Sequence, residues 1–464
     1  MTTRAVPHKP ALRQALIAAA CLLGAPAFAA DARPEWLPEG SLGAGLPLLA
    51  DPGGLRAALW EKGFKYQLNY LGDLLGAQSG GLRRGIAYSS RLELVVDGDL
   101  EKAAGWNGAS IHLNAYLING SGLSRSWVGN LMTVSNIEAL PATRLYEAWM
   151  EQKLADGKMA VRAGQLGADT EFVTSTYASL FINGTFGWPV IHASDLPTGG
   201  PSYPLATPGV RLGFYPTEQL SMLVGVFNGD PAGVGVVEAQ VANRHGLNFR
   251  VHDPAFLISE VQFKYGDDKS PTGLSGTAKI GAWTHLGKFA DQRFAADGLS
   301  LANPASSGEA LQRRGDRGVY GVLDQQVYRL ADDPAKGVGL FARVAAAPSD
   351  RNPVDFYADG GVNVSGVIAS RPDDAFGVAI AYARISRATI GLDQDMVKFN
   401  GPAPTRSSEM VLEATYSAQV VSGWSLQPNI QYVIRPGGGA ADPDNPAHPL
   451  RNAAILGLRT AFKF

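Results

Sequence analysis

The sequence predicts an all-β fold: a transmembrane antiparallel β-barrel of about sixteen strands, with short periplasmic turns, long extracellular loops and one loop folded inward to constrict the bore. Three observations predict it. Apolar and polar residues alternate with a period of two over segments of about ten residues. The connections between those segments alternate between short and long. Past the N-terminal region no apolar run reaches the length of a transmembrane helix,. A chain that crosses a bilayer without such a helix must close its sheet, because lipid offers no partner to backbone N–H and C=O groups.

Residues 1–29 read as an export signal: Arg4, Lys9 and Arg13 precede an apolar run from Ala15 to Leu23 and the small-residue stretch Ala27-Phe28-Ala29,. A lipoprotein box at Ala18-Ala19-Ala20-Cys21 fits less well, because the apolar run continues past the cysteine and no Leu stands three residues before it,. Cleavage after Ala29 removes Cys21, so the mature chain has no thiol for a disulfide, a metal or a nucleophile,. It also removes three of the 40 basic residues and none of the 42 acidic ones, leaving a net charge of −5. That balance argues against nucleic acid as a partner. Residues 30–63 read as a periplasmic segment, in which Asp51-Pro52 starts a short helix from Gly53 to Lys62 and Gly63 ends it. Residues 64–464 read as the barrel, all strand after that helix.

The first strands show the alternation plainly in Lys65 to Tyr70, Arg91 to Val96 and Ser110 to Leu117. One face there is apolar and the other carries Lys65, Gln67, Asn69, Arg91, Glu93, His112 and Asn114. Later, Val261, Phe263 and Tyr265 oppose Glu260, Gln262 and Lys264, and Ile280 and Ala282 oppose Lys279, Trp283 and His285. Near the end, Met410, Leu412, Ala414 and Tyr416 oppose Glu409, Glu413 and Thr415. Likewise Leu426, Ile430, Tyr432 and Ile434 oppose Gln427, Asn429, Gln431 and Arg435. The terminal strand puts Leu456, Leu458, Thr460, Phe462 and Phe464 opposite Arg459 and Lys463, which suits an aromatic interfacial girdle,.

Short connections fall at Ala103 to Gly108, Ala155 to Gly157, Pro216 to Gln219, Gly266 to Gly273, Ala331 to Lys336, Ser370 to Asp374 and Ser417 to Gly423. Long ones fall at Leu75 to Tyr88, Asn119 to Ala142, Leu166 to Thr207, Gly229 to Pro254, Gly287 to Arg317, Ser386 to Arg406 and Pro436 to Asn452, with a shorter one at Pro348 to Pro353. A soluble propeller or sandwich would not confine long loops to one end, and no repeated blade motif is present in the sequence.

Several separated stretches then carry a family resemblance. They are Gly54-Leu55-Arg56 with Leu59 and Lys62-Gly63; Arg144-Leu145-Tyr146-Glu147-Ala148-Trp149; Arg162-Ala163-Gly164-Gln165; Phe172 with Leu180 to Gly187; and Leu426 to Gly438, the most specific. In order and spacing these resemble the carbohydrate-selective porin family of the OprB type. The resemblance implies a sixteen-stranded barrel through which sugars, glucose being the usual one, diffuse past a constriction of inward-folded loops. The charged residues lining family pores vary, so individual contacts carry over weakly.

A sugar is uncharged, dense in hydroxyls and apolar on its C–H faces, so a selective constriction needs paired charges beside aromatic surface. Glu147, Trp149 and Glu151 share one strand face by period two, and Arg162 lies across the Asp156-Gly157 turn within cross-strand reach. The loop from Leu166 to Thr207 holds Asp169, Glu171, Phe172, Phe181, Asn183, Phe186 and Trp188, and is predicted to fold inward, since outside it would expose its aromatics to water. Phe181 and Phe186 suit packing against the wall as well as lining the bore. Arg91, Glu93, Glu413, Arg435, Arg459 and Lys463 face the lumen by parity, most simply as solvated wall residues.

Two other functions are open to such a barrel. An enzyme would need a site, but the sequence contains no HExxH, GxSxG or P-loop, and His112, His192, His245, His252 and His285 lack ligand spacing,. A phosphate-type anion channel would line its constriction with Arg or Lys rings, whereas here Arg91, Arg162 and Arg435 mix with Glu93, Glu147, Glu151 and Glu413. No cofactor or metal is called for. The expected partners are small neutral sugars and outer-membrane lipid; residues that would join copies into a homo-oligomer share the outward face with lipid-facing ones.

Overall fold

The structure, a computed structural model, describes residues 34–464 apart from 237 and 267–272. The export-signal reading of residues 1–29 lies outside the described residues. Sixteen strands close into one barrel: β1 Phe64–Gly81, β2 Gly85–Asp99, β3 Ala109–Gly120, β4 Ala142–Leu154, β5 Met159–Leu166, β6 Thr207–Phe214, β7 Leu220–Asn228, β8 Ala255–Tyr265, β9 Gly276–Ala295, β10 Ala310–Arg329, β11 Gly337–Ala346, β12 Val354–Ser365, β13 Ala375–Ile385, β14 Ser408–Val421, β15 Trp424–Ile434 and β16 Arg451–Lys463. Each strand is antiparallel to its neighbours. β1 pairs with β16 from Asn69↔Lys463 to Gly81↔Arg451 and so leaves no free edge,.

Alternation decides which way each side chain points. Along β11, Phe341, Arg343 and Ala345 are buried inside while Leu340, Ala342 and Val344 are exposed outside,. Ile86 and Ile280 each leave 69% of their surface open on the outer wall, an exposure that water penalises and lipid does not,. At the short-turn end, periplasmic in barrels of this kind, exposed Phe214, Phe263, Tyr328, Phe376 and Phe464 form an aromatic girdle,. Trp424 stacks on Phe462 there, with centroids 5.5 Å apart.

Several expectations are corrected. The stretch from Leu75 to Tyr88, read as a long loop, is mostly strand. β1 and β2 run on as a hairpin joined by residues 82–84, with bulges between Ala77 and Gly81 on the β1 side. β9 and β10 likewise extend to twenty residues each, leaving a connection of residues 296–309. The turn after β14 shrinks to residues 422–423. The chain beyond residue 63 is not all strand, because loops carry helices of their own.

The N-terminal helix, α1, spans Leu55–Glu61, with Pro52–Gly54 a preceding 3₁₀ turn. Asp51 still caps it, but from a distance: its carboxylate accepts from Arg56 N at 2.7 Å and Ala57 N at 3.3 Å,. Buried Arg56 donates to Tyr66 O at 2.9 Å and lies over that ring, which fixes α1 against the start of β1. Trp60 holds Lys65 and Lys102 near its ring, at 4.5 and 4.0 Å,. Residues 41–45 reach the turn at residues 422–423, where Ser422 Oγ donates to Ser41 O at 3.1 Å.

Candidate functional site

Two loops turn back into the barrel, and the inner wall holds them through their backbone. Loop 167–206, the one expected to fold inward, donates Val173 N to Glu260 at 2.9 Å, Thr176 N to Asp324 at 2.9 Å, and Ile182 N and Asn183 N to Glu413 at 2.7 and 2.9 Å. In return Arg343 donates to the carbonyls of Val173, Thr185 and Gly187 at 3.2, 2.9 and 3.0 Å while paired to Asp359. Within this loop lies helix α2, Val190–Asp195. Loop 121–141 is the second inward loop. Its Leu131 N and Met132 N donate to Glu409, Ser135 Oγ donates to Asp73 at 2.6 Å, and its Asn136 accepts from Arg459 at 2.7 Å. An inward loop strips its amides of water, so wall carboxylates must supply acceptors. Phe181, Phe186 and Phe341 pack together in the apolar core that results.

Along β2 to β5 the wall meets the loops at fewer points, chiefly where Glu147 accepts Gly167 N and where Arg162 pairs with Glu171, and two cavities open beside it. On the loop side lies a cavity of about 390 Å³ lined by Arg91, Tyr116, Tyr146, Asp169, Trp188 and Tyr203. On the turn side lies another of about 560 Å³ lined by Trp60, Lys65, Asp97, Lys102, Ile111 and Trp149. Arg91 of the first cavity and Asp97 of the second stand on the same strand, β2, six residues or about 20 Å apart,.

Charges on this part of the inner wall are paired. Arg91 lies over the rings of Tyr116 and Tyr203, at 4.7 and 5.2 Å, and 3.8 Å from Glu93, which accepts from Asn69 and Asn114 at 3.0 and 2.8 Å. Below, two arginines and two glutamates form a closed square. Arg162 stands 2.9 Å from Glu151 and 3.1 Å from Glu171, and Arg211 stands 2.7 Å from Glu151 and 2.8 Å from Glu171. Arg211 is buried behind the square, while Arg162 and Glu171 keep 16% and 22% of their side-chain surface open to the bore. β4, β5, β6 and loop 167–206 each contribute one corner, and the square carries no net charge.

Trp149 stands beside the square with both faces covered. His112 on β3 stacks at 4.7 Å and 14°, and Arg162 on β5 lies 3.7 Å from the ring centroid,. With both faces covered, it lines the turn-side cavity by what its neighbours leave open. Glu147 is buried and accepts Gly167 N at 2.9 Å, which pins the start of loop 167–206. Asp169, in the loop, accepts from the Tyr146 hydroxyl and from Tyr203 N at 2.9 Å; burial raises its pKa against those donors. Burial likewise pushes the Tyr203 phenol up to about 12, so it stays protonated and donates to Ile137 O at 2.9 Å.

Three expected pore residues stand elsewhere. Phe172 is 1% exposed and packs edge-on against Phe227, so it belongs to the seam between loop and wall. Asn183 is fully buried, holding Gln431 and Met132 O at 3.0 and 3.1 Å. Arg435 falls just past β15 in a left-handed conformation, φ 54°, exposed and bonded to Ser408, because strand parity ends at Ile434. Four further residues join the site. Tyr146 faces inward beside Glu147 because a bulge in β4 pairs Asn114 with Glu147 and Ala115 with Leu145,. Tyr116 and Tyr203 pack with it by ring contacts at 5.1 and 6.3 Å. Arg211 had a signal, the alternation Val210-Arg211-Leu212.

A sealed antiparallel barrel, apolar outside and lined inside by paired charges, with loops folded into it, defines a diffusion channel of the Gram-negative outer membrane,. The chain belongs to the carbohydrate-selective porin, OprB family, whose sequence profile matches residues 83–464. Porin B of Pseudomonas aeruginosa is 25% identical over 436 residues, covering 89% of this chain and 90% of that one. The high-pH structure of Pseudomonas putida OprB superposes with a TM-score of 0.78 at 23% identity, covering 89% of this chain and 97% of the other. The low-pH structure of the same protein gives 0.54 at 17% identity, with 92% and 99% covered. At these identities the structural likeness speaks for the barrel alone.

Proposed function

We propose that small neutral sugars of the glucose type cross this barrel between the two cavities, along Arg91, Glu93, the edge of Trp149, Arg162 and Glu171. Glu147, Glu151, Asp169 and Arg211 hold that row in place. The neutral square carries the reading: it offers a hydroxyl-rich solute donors and acceptors together, while presenting no monopole that would favour one ion sign,. No bond in the solute is made or broken. Transport gains from shallow sites, since a solute held tightly would not leave. Hydroxyls would exchange with the paired side chains, and the tryptophan edge would meet an apolar C–H face. The family description and the name of the Pseudomonas aeruginosa relative support the choice of solute.

The test is planar-bilayer recording of the purified protein. Near-balanced ion selectivity and a current reduced by glucose, with Trp149→Ala weakening that reduction several-fold, are the expected results. Strong anion selectivity with blockade by phosphate and none by glucose would replace this reading with an anion channel.

A further inference from the structure

We infer that the outer wall at β8–β11 is a binding site for a phosphate-bearing acylated lipid of the outer leaflet, with Lys288, Arg314 and Arg317 as its headgroup cluster. On the outward faces of these four strands, among the described residues, these are the charged side chains. All three are cationic, all stand toward the loop end, and all are exposed. Arg314 pairs in register with Lys288, and Arg317 with Thr284. Strand parity alone would send one of the two arginines inward. The register shift between Arg314 and Asp316, with Gly315 at φ 71°, turns both outward and sends Asp316 into the wall,. The nearby acids are engaged inside: Asp291 accepts from Arg313 at 2.9 Å, and Asp316 accepts from Asn352, also at 2.9 Å.

Height fits the headgroup layer. Lys288 stands twelve residues beyond Gly276, the turn-side end of β9. At about 3.3 Å per residue and a tilt of about 40°, that is about 30 Å, just past the apolar band. Directly below the cations, on the same strands, lies an outward groove of about 580 Å³. Its floor is Gly321, Ala282 and Ala346, and its walls are Val261, Ile280 and Val319. Small residues in a row otherwise built of Leu, Val and Ile leave room for an acyl chain, and three cations that pair with no acid among the described residues leave a place for phosphate. A free phosphate would use the cations and not the groove; a neutral lipid would use the groove and not the cations. Their coincidence on adjacent strands selects a lipid that has both.

The experiment is native mass spectrometry of the detergent-purified protein with diphosphoryl lipid A, phosphatidylcholine or inorganic phosphate added. Lipid A is expected to stay bound, to be retained well over phosphatidylcholine, and not to be displaced by inorganic phosphate at equal concentration. Replacing Lys288, Arg314 and Arg317 with Gln should weaken retention about fivefold for each charge removed at low salt. Gly321→Phe should weaken it about tenfold by filling the groove. A Cβ at Gly321 meets nothing nearer than 3.8 Å, so the new side chain leaves the backbone without a clash. Neither variant reaches the bore, and channel conductance serves as the folding control. Should a variant fail to fold, raising the salt on the unmodified protein must still weaken lipid A retention. Equal retention of phosphatidylcholine, indifference to salt, or full retention by either folded variant overturns the proposal.

Discussion

The inner wall carries charges all the way round, yet its two halves use them in opposite ways. From β2 to β6, Arg91, Glu93, Arg162 and the loop residue Glu171 pair with one another and stay partly open to the bore. From β8 to β15, Glu260, Asp324, Glu409 and Glu413 are buried and accept backbone N–H groups from the two inward loops, while Arg343 serves their carbonyls. Sequence parity treats these halves alike, because both put polar side chains inward. What separates them is whether a loop's backbone arrives. Where it does, as at Glu413 and, on the open half, at Glu147, a carboxylate becomes an anchor; where it does not, as at Glu93, Glu151 and Glu171, it pairs with a guanidinium.

Breaking an anchor should therefore cost stability and open the bore, and the largest effect is expected at Arg343. Arg343→Ala strands the Asp359 carboxylate and three loop carbonyls in the interior. Leaving a buried partner unpaired costs about 3–5 kcal/mol. The variant should lose heat resistance in gel migration and pass a larger, noisier single-channel current as loop 167–206 loosens. Unchanged conductance would mean that the loop is held by its apolar core alone. Glu413→Ala comes next: it orphans Ile182 N and Asn183 N together with Asn429 Nδ2, at about 1–3 kcal/mol,. Higher conductance and weaker reduction by glucose are expected, with Glu413→Gln milder because its amide oxygen still accepts.

This contrast also explains what was legible in the sequence. Lipid outside and water inside force alternation, so the strands and the bounds of loops 167–206, 229–254 and 347–353 could be read closely. The cluster of Glu147, Trp149, Glu151 and Arg162 was legible because four residues on adjacent strands needed only parity and a tight turn. Its detail was not. A single bulge at Tyr146 switches parity without a residue type that announces it, and so hid a tyrosine that lines the loop-side cavity. Nothing in residues 121–141 distinguishes an inward loop from an outward one until Glu409 and Asp73 are seen facing it. The helix α3, Arg387–Asn400, sits within a connection whose bounds were read correctly but whose content was not. Parity puts Trp149 on the inner face but does not show that His112 and Arg162, its cross-strand neighbours, cover both sides of the ring.

On the open half, changes should alter selectivity more than stability. Arg162→Gln leaves Arg211 alone between Glu151 and Glu171, turning the neutral square into a site of net charge −1. Cation preference measured by reversal potential should rise several-fold, and the reduction of current by glucose should weaken. The partly open pair contributes about 1 kcal/mol or less to stability. A reversal potential that does not move would place the rate-limiting constriction elsewhere along β2.

The smallest effect is expected at the seam where the two halves meet. Phe172 belongs by sequence to the constriction loop, but its ring turns away from the bore and meets Phe227 edge-on at 6.4 Å. Phe172→Leu keeps most of the apolar volume and should cost about 1.5 kcal/mol or less, visible as a small drop in unfolding temperature. Single-channel conductance and glucose dependence should match the unmodified protein. Were Phe172 an aromatic contact for the solute, Leu would change the sugar dependence and spare the unfolding temperature, the reverse pattern. The two readouts thus distinguish an aromatic residue that touches the solute from one that seals loop 167–206 to the wall.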